Sequence, residues 1–173
     1  MNTYTNRPNA ISREKTYVLG EAGISDGTGE WAYEELTEIR LKYAPTRYYS
    51  GIYECHIRSA RGSVVLCNRE YRGPANFEYK NEAYTAFVKE LHKRLLDYAQ
   101  VSLLTGKPKG KFYFEVLASA IFFPLLLYAM FALGQLLVAG IALLVILIRL
   151  LPYFGKNRPR HYAASNVPDN MLP

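Results

Sequence analysis

Glu115 and Arg149 are the only two charged side chains in the run 112–154, and a charge in such apolar surroundings either does chemistry or needs a partner. One reading makes them an intramembrane pair, or the lining of a proton or ion site. The other keeps Glu115 within a turn of the interface and lets Arg149 snorkel inward; the lack of any polar stripe continuing from either residue favours it. Cys55, His56 and Cys67 are of types that ligate metals. Neighbouring strand residues point to opposite faces, however, so Cys55 and His56 cannot readily share one site. A third group lies in the stretches 46–51 and 68–77, where Arg47, Arg69 and Arg72 accompany Tyr48, Tyr49, Tyr71 and Phe77. Arginine with aromatic rings is the material of binding hot spots, which makes these seven residues candidates for holding a partner. Gly20, Gly23, Gly27 and Gly29 are too scattered for a phosphate loop. No catalytic residue, cofactor or metal is expected, and the reading is of a protein that is not an enzyme.

The apolar run positions the first of these groups. As one helix it would be about 65 Å long, twice the ~30 Å thickness of a bilayer's hydrocarbon. Two spans fit instead, near 113–133 and 136–154, with the turn at Gly134 and Gln135. Lys107, Lys109 and Lys111 precede the run, and Lys156, Arg158 and Arg160 follow it, while the turn carries no charge. Basic flanks mark the cytoplasmic side. The expected topology therefore puts both ends of the hairpin, and both termini, on the cytoplasmic side of a membrane that the protein crosses more than once. Ala129 and Ala132 are expected to face Ala139 and Gly140, because small residues let membrane helices approach. Pro124 should kink the first span. The basic side chains, Arg149 included, are expected at the membrane interface, in contact with anionic head groups.

The remainder reads as a small α+β domain. Residues 1–100 hold 14 Lys and Arg against 13 Asp and Glu, whereas 101–173 hold seven against two. The net charge of +6 is thus a property of the membrane flanks and gives no support to nucleic-acid binding. Residues 1–15 are polar, with no signal-peptide core. Short β-rich stretches follow: Thr16 to Leu19, Glu30 to Tyr33 beyond a turn at Asp26-Gly27-Thr28-Gly29, Ile39 to Tyr43, and a hairpin from Ile52 to Cys67. Tyr84, Phe87, Val88, Leu91, Leu95 and Tyr98 recur at helical spacing and predict an amphipathic helix from a cap at Asn81 to about Gln100, with His92 among its solvated residues. Cys55 and Cys67 are expected as buried thiols. The stretch 101–111 reads as a basic linker, and 155–173, with Pro159, Pro168 and Pro173, as a tail. That tail is either disordered or an extended strap that docks through Tyr162, Val167, Met171 and Leu172.

Strands closed by one C-terminal helix is the order of a pleckstrin-homology-type domain. Tyr17-Val18-Leu19-Gly20-Glu21-Ala22-Gly23-Ile24, followed after a glycine turn by Trp31-Ala32-Tyr33-Glu34-Glu35-Leu36-Thr37-Glu38-Ile39-Arg40-Leu41, resembles the opening of the bacterial PH-like family. The hairpin 53–67 and the helix from Asn81 are similar to its later elements. The resemblance covers residues 16–100 and extends to proteobacterial membrane proteins with such a domain, a C-terminal apolar hairpin and a Pro-containing tail. It implies a PH-like β-barrel or sheet capped by one helix, and a binding role. The dense Lys/Arg cluster of phosphoinositide-binding members is missing from the first hairpin. The expected function is a non-catalytic, membrane-tethered binding or scaffolding module, whose partners are membrane lipids and a membrane protein or a second copy. One alternative is an accessory subunit of a larger membrane transport or energy-converting complex, and a second, ranked below it, is a membrane-bound enzyme.

Overall fold

The computed structural model describes residues 2–45, 51–74 and 76–173. It divides into two units: Met1–Thr105 with Arg160–Pro173, and Gly106–Pro159. The first is α+β. Its strands are β1 (Thr3–Asn6), β2 (Lys15–Leu19), β3 (Gly23–Ser25), β4 (Glu30–Ala32), β5 (Leu36–Tyr43), β6 (Tyr53–Ser59), β7 (Gly62–Cys67), β8 (Arg69–Gly73), β9 (Asn76–Tyr79), β10 (Ser102–Thr105) and β11 (Arg160–His161), and its helix is α1 (Asn81–Arg94). The second consists of α2 (Lys109–Ala132) and α3 (Leu136–Asn157).

Alternation explains the central strands. Tyr53, Cys55 and Ile57 are buried on β6, Val64 and Leu66 on β7, and Ile39 and Leu41 on β5, each on the inward side of a period-two pattern. Ile39 lies opposite Ile57 and Leu41 opposite Cys55. Tyr84, Phe87, Val88 and Leu91 present one stripe of α1 to the same core. On β5 the intervening Arg40 donates to Glu38 at 2.9 Å.

Among the described residues the strands form an order β1-β2-β3-β4, a second order β11-β10-β5-β6-β7 and a separate hairpin β8-β9. Among the described residues no closed barrel is found, and the expected α+β class takes the form of these open sheets. Two local features explain the breaks. A 3₁₀ turn at Tyr33–Glu35 separates β4 from β5, and its Tyr33 is fully buried, with its hydroxyl donating to Gly20 O at 3.1 Å. Asn68 separates β7 from β8. It is fully buried; its Oδ1 accepts from Tyr53 N–H at 2.9 Å, and its Nδ2 donates to Gly51 O at 2.9 Å and to Asn81 Oδ1 at 2.8 Å. Asn81 is therefore the first helical residue rather than a cap, and Lys80 precedes it without a side-chain capping bond.

Several segments read from the sequence as connections are structural. β1 lies within the expected polar N-terminal stretch. Tyr4, 1% exposed, donates from its hydroxyl to Cys67 O at 2.6 Å. α1 ends at Arg94 rather than near Gln100, because the chain turns through Leu95 and Tyr98 to send Val101 and Leu103 into the core. Ser102–Thr105, assigned to the linker, pairs in parallel with β5, and Leu104 and Thr105 pair with His161 and Arg160 of the tail. The tail is an ordered strap: Met171 and Leu172 are buried in the core cluster, with Tyr162, Ala164 and Val167 packed against it. The Asp26 turn forms as read. Burial alone would raise the Asp26 carboxyl, but hydrogen bonds from Lys15, Thr28 and Gly29 bring it down to about 2.

In the second unit both helices are long and apolar enough to cross a membrane, and neither is buried over its apolar stretch. They turn at Gly134, whose φ of 69° suits the left-handed end of α2. The half-buried positions include Val116, Ser119, Phe123, Leu127 and Met130 on α2, and Ala139, Ala142, Ile146 and Leu150 on α3. Of the small residues expected to meet, Ala139 is half-buried, whereas Ala129, Ala132 and Gly140 are exposed. Pro124 and Pro152 are accommodated inside their helices. At the hairpin's base Lys107 N–H donates to Asn157 O at 3.0 Å. Gly106 has φ +70°, and a Cβ there would lie 2.3 Å from Asn157 O.

Asn68→Ala removes three hydrogen bonds of a buried side chain between two strands and is expected to cost about 2–4 kcal/mol of stability, measured by denaturant unfolding in detergent. Gly106→Ala combines a left-handed backbone with a backbone clash and should cost at least about 2 kcal/mol. Gly134→Ala, with nothing within 4 Å of the added Cβ, should cost only about 1 kcal/mol.

Candidate functional site

Among the described residues the sequence candidates gather on the hairpin β8–β9. Its register places Arg69 opposite Tyr79 and Tyr71 opposite Phe77, with Glu70 opposite Glu78 on the other face. The first face carries a stack. The Arg69 guanidinium lies 4.5 Å from the centre of the Phe77 ring, Phe77 meets Tyr71 edge-on at 5.6 Å, and Arg7 covers Tyr71 at 5.3 Å. Cation–ring contacts of this kind contribute about 0.5–1 kcal/mol at exposed sites. They also hold long arginine side chains in fixed positions, which lowers the entropy lost on binding. Arg72 does not join them. It turns to the ionic face, 2.7 Å from Glu70 and 2.8 Å from Glu78, and Lys80 lies 2.8 Å from the buried Glu70. Arg47, Tyr48 and Tyr49 lie outside the described residues.

Arg7 is the member that sequence reading missed. It comes from the segment after β1, held there because its carbonyl accepts Tyr71 N–H at 2.7 Å and its guanidinium donates to Ala10 O and Ser12 O. Nothing in local spacing connects residue 7 with residue 71.

Glu115 and Arg149 are not a pair. Both Glu115 oxygens accept from Lys107 Nζ at 2.6 Å, and Tyr153, which itself accepts a hydrogen bond from Lys107, donates to Glu115 at 3.1 Å. Glu115 is thus committed to a clasp joining the start of α2 to the end of α3, while Arg149 is exposed on another side of α3. Lys109, Lys111, Arg158 and Arg160 are exposed, and Lys156 is half-buried.

The remaining candidates are structural. Cys55 is fully buried, and burial pushes its thiol up to about 12. Cys67 is a buried free thiol too. His56, on the other face of β6, lies 2.7 Å from Glu54. Among the described residues no three His, Cys, Asp or Glu side chains gather as metal ligands. His92 corrects the expectation of a solvated residue, being 1% exposed. A carbonyl can only accept, so Nδ1 carries the proton donated to Val88 O at 2.7 Å, and Nε2 accepts from the Tyr162 hydroxyl at 2.7 Å. Burial, partly offset by the Val88 hydrogen bond, lowers its pKa.

No protein-family model, curated protein or solved structure matches the chain, and its function has to be argued from these residues.

The buried neutral His92 makes stability depend on pH. The unfolded histidine takes up a proton as pH falls through its ordinary value near 6.5, whereas the folded one does so only at lower pH. Stability should therefore be fully present above about pH 7 and decline as pH falls below about 6.5. Denaturant midpoints measured across that range should flatten in His92→Gln, leaving the Asp26 loss below about pH 4.

Proposed function

We propose that this chain is a non-catalytic, membrane-tethered binding or scaffolding module, carrying its α+β unit at the cytoplasmic face of a bacterial inner membrane. The observation that carries this reading is the pairing of β10 with β11. The chain enters the hairpin from one strand of that pair and returns to the other, so the two ends of an inserted hairpin start side by side. The basic residues at both ends supply the preference for the cytoplasmic side, and the exposed apolar surface of α2 and α3 supplies the drive to insert.

The α+β unit is read as an opened PH-like arrangement, with meandering antiparallel strands followed by a helix against their inner face. It would act through the Arg7, Tyr71, Phe77 and Arg69 stack, whose chemistry suits a protein partner. Tethering restricts the unit to a thin layer beside the bilayer, where an effective concentration in the millimolar range makes weak contacts sufficient.

Reporters that distinguish the compartments, one fused at the N-terminus and one inserted between Gly134 and Gln135, test the topology. The N-terminal reporter should report the cytoplasm and the turn reporter the far side. Both reporting the same compartment would sink the tethering model.

A further inference from the structure

Ala139, Ala142, Ile146, Leu150 and Tyr153 are half-buried on α3, at the three- and four-residue spacing of a single helix face. Arg149 is one residue, about 100° of turn, off that face, and it is exposed, as are Val145 and Ile148 beside it. It has no ion-pair partner among the described residues. Glu115, the only carboxylate in the run 112–154, is held on both oxygens by Lys107. The outward side of α3 therefore carries one uncompensated charge amid leucine, isoleucine and valine.

Depth and direction decide what can compensate it. Arg149 lies eight residues before the end of α3 at Asn157, about 12 Å along the axis. Side chains on a helix lean toward its N-terminus. For α2 that end is the basic one, so Glu115 leans toward Lys107 and finds it. For α3 it is the Gly134–Gln135 turn, so Arg149 leans away from the basic end and the head groups there. Snorkelling, which the sequence suggested, would have to run against the direction of its own Cα–Cβ bond. A second copy offers no free carboxylate either, since its Glu115 is engaged in the same way.

We propose that the outward face of α3 around Arg149 docks against a membrane-spanning helix of a partner protein, and that this helix presents an Asp or Glu carboxylate to the guanidinium. A carboxylate supplies charge and two acceptors in the geometry that arginine's fork matches. Apolar neighbours at Val145 and Ile148 would pack on either side. The inference rests on the membrane reading and extends it by giving the chemistry of the partner.

The test places a photoactivatable benzophenone amino acid at position 148 of the full chain and irradiates carbonate-washed native membranes. A discrete protein adduct is expected, with its yield about tenfold lower in Arg149→Leu, a difference of about 1.4 kcal/mol, and largely kept in Arg149→Lys. Mass spectrometry should find an acidic residue in the adduct's apolar segment, and neutralising that residue should lower the yield similarly. An adduct with lipid alone, with a second copy, or with yield indifferent to Arg149→Leu would overturn the proposal while leaving the membrane reading standing. Release of the chain by carbonate would overturn both.

Discussion

The pairing of residues that precede the hairpin with residues that follow it is the constraint on which the α+β unit depends. Ser102–Thr105 takes the free edge of β5, and Arg160–His161 takes the free edge of β10. The strap beyond then fills the core with Met171 and Leu172 and meets His92 through Tyr162. The unit is therefore incomplete until the chain has traversed the whole of Gly106–Pro159. Closing so long a loop costs entropy that grows slowly with length. A helical hairpin whose two ends are already hydrogen-bonded, as Lys107 is to Asn157, reduces that cost by bringing the returning segment back to where it left.

The clasp of Lys107, Glu115 and Tyr153 serves the same end from within the hairpin. A carboxylate inside an apolar run is tolerated when its charge is matched and its remaining acceptor sites are used. Lys107 supplies the charge and Tyr153 an additional donor from the opposite helix. The three groups join the start of α2, the segment before it and the end of α3, so the ionic group fixes the register of the two helices as well as satisfying Glu115. A hydrophobic residue at 115 could pack there but could not select that register.

Local signals carried much of this architecture. The two helices were legible from the length of the apolar run and its one polar break, β6–β7 from alternation around a tight connection, and the Asp26 turn from its residue types. The stack of Arg69, Tyr71 and Phe77 was legible as a composition, although its order was not. What escaped depends on partners distant in sequence. Ser102 to Thr105 is too short and ordinary to announce a strand, and only the open edge of β5 makes it one. Arg7 reaches Tyr71 through a backbone bond between distant segments. His92 sits between Leu91 and Lys93 on a helix that alternates buried and exposed residues, and Tyr162 of the strap meets it from the far end of the chain. The breaks between β4 and β5 and between β7 and β8 fall at the Tyr33 turn and at Asn68, each a single local interruption in otherwise good strand sequence.

Size sets the terms on which the Arg–aromatic stack could act. Three side chains on one two-stranded hairpin, with Arg7 laid over Tyr71, offer less surface than the roughly 800 Å² per partner of a stable interface. In free solution such a patch would give weak, transient binding. On the proposed tethering beside a bilayer, it would need only to distinguish among neighbours confined to the same layer, and fixed guanidinium positions would serve because a mismatched charge is costly. An intramembrane contact at Arg149 would then divide the labour. The buried ion pair would select which protein lies alongside, and the stack on β8–β9 would read whether that protein's cytoplasmic surface is in a state to be bound. Two weak contacts joined by one chain give selectivity that neither has alone.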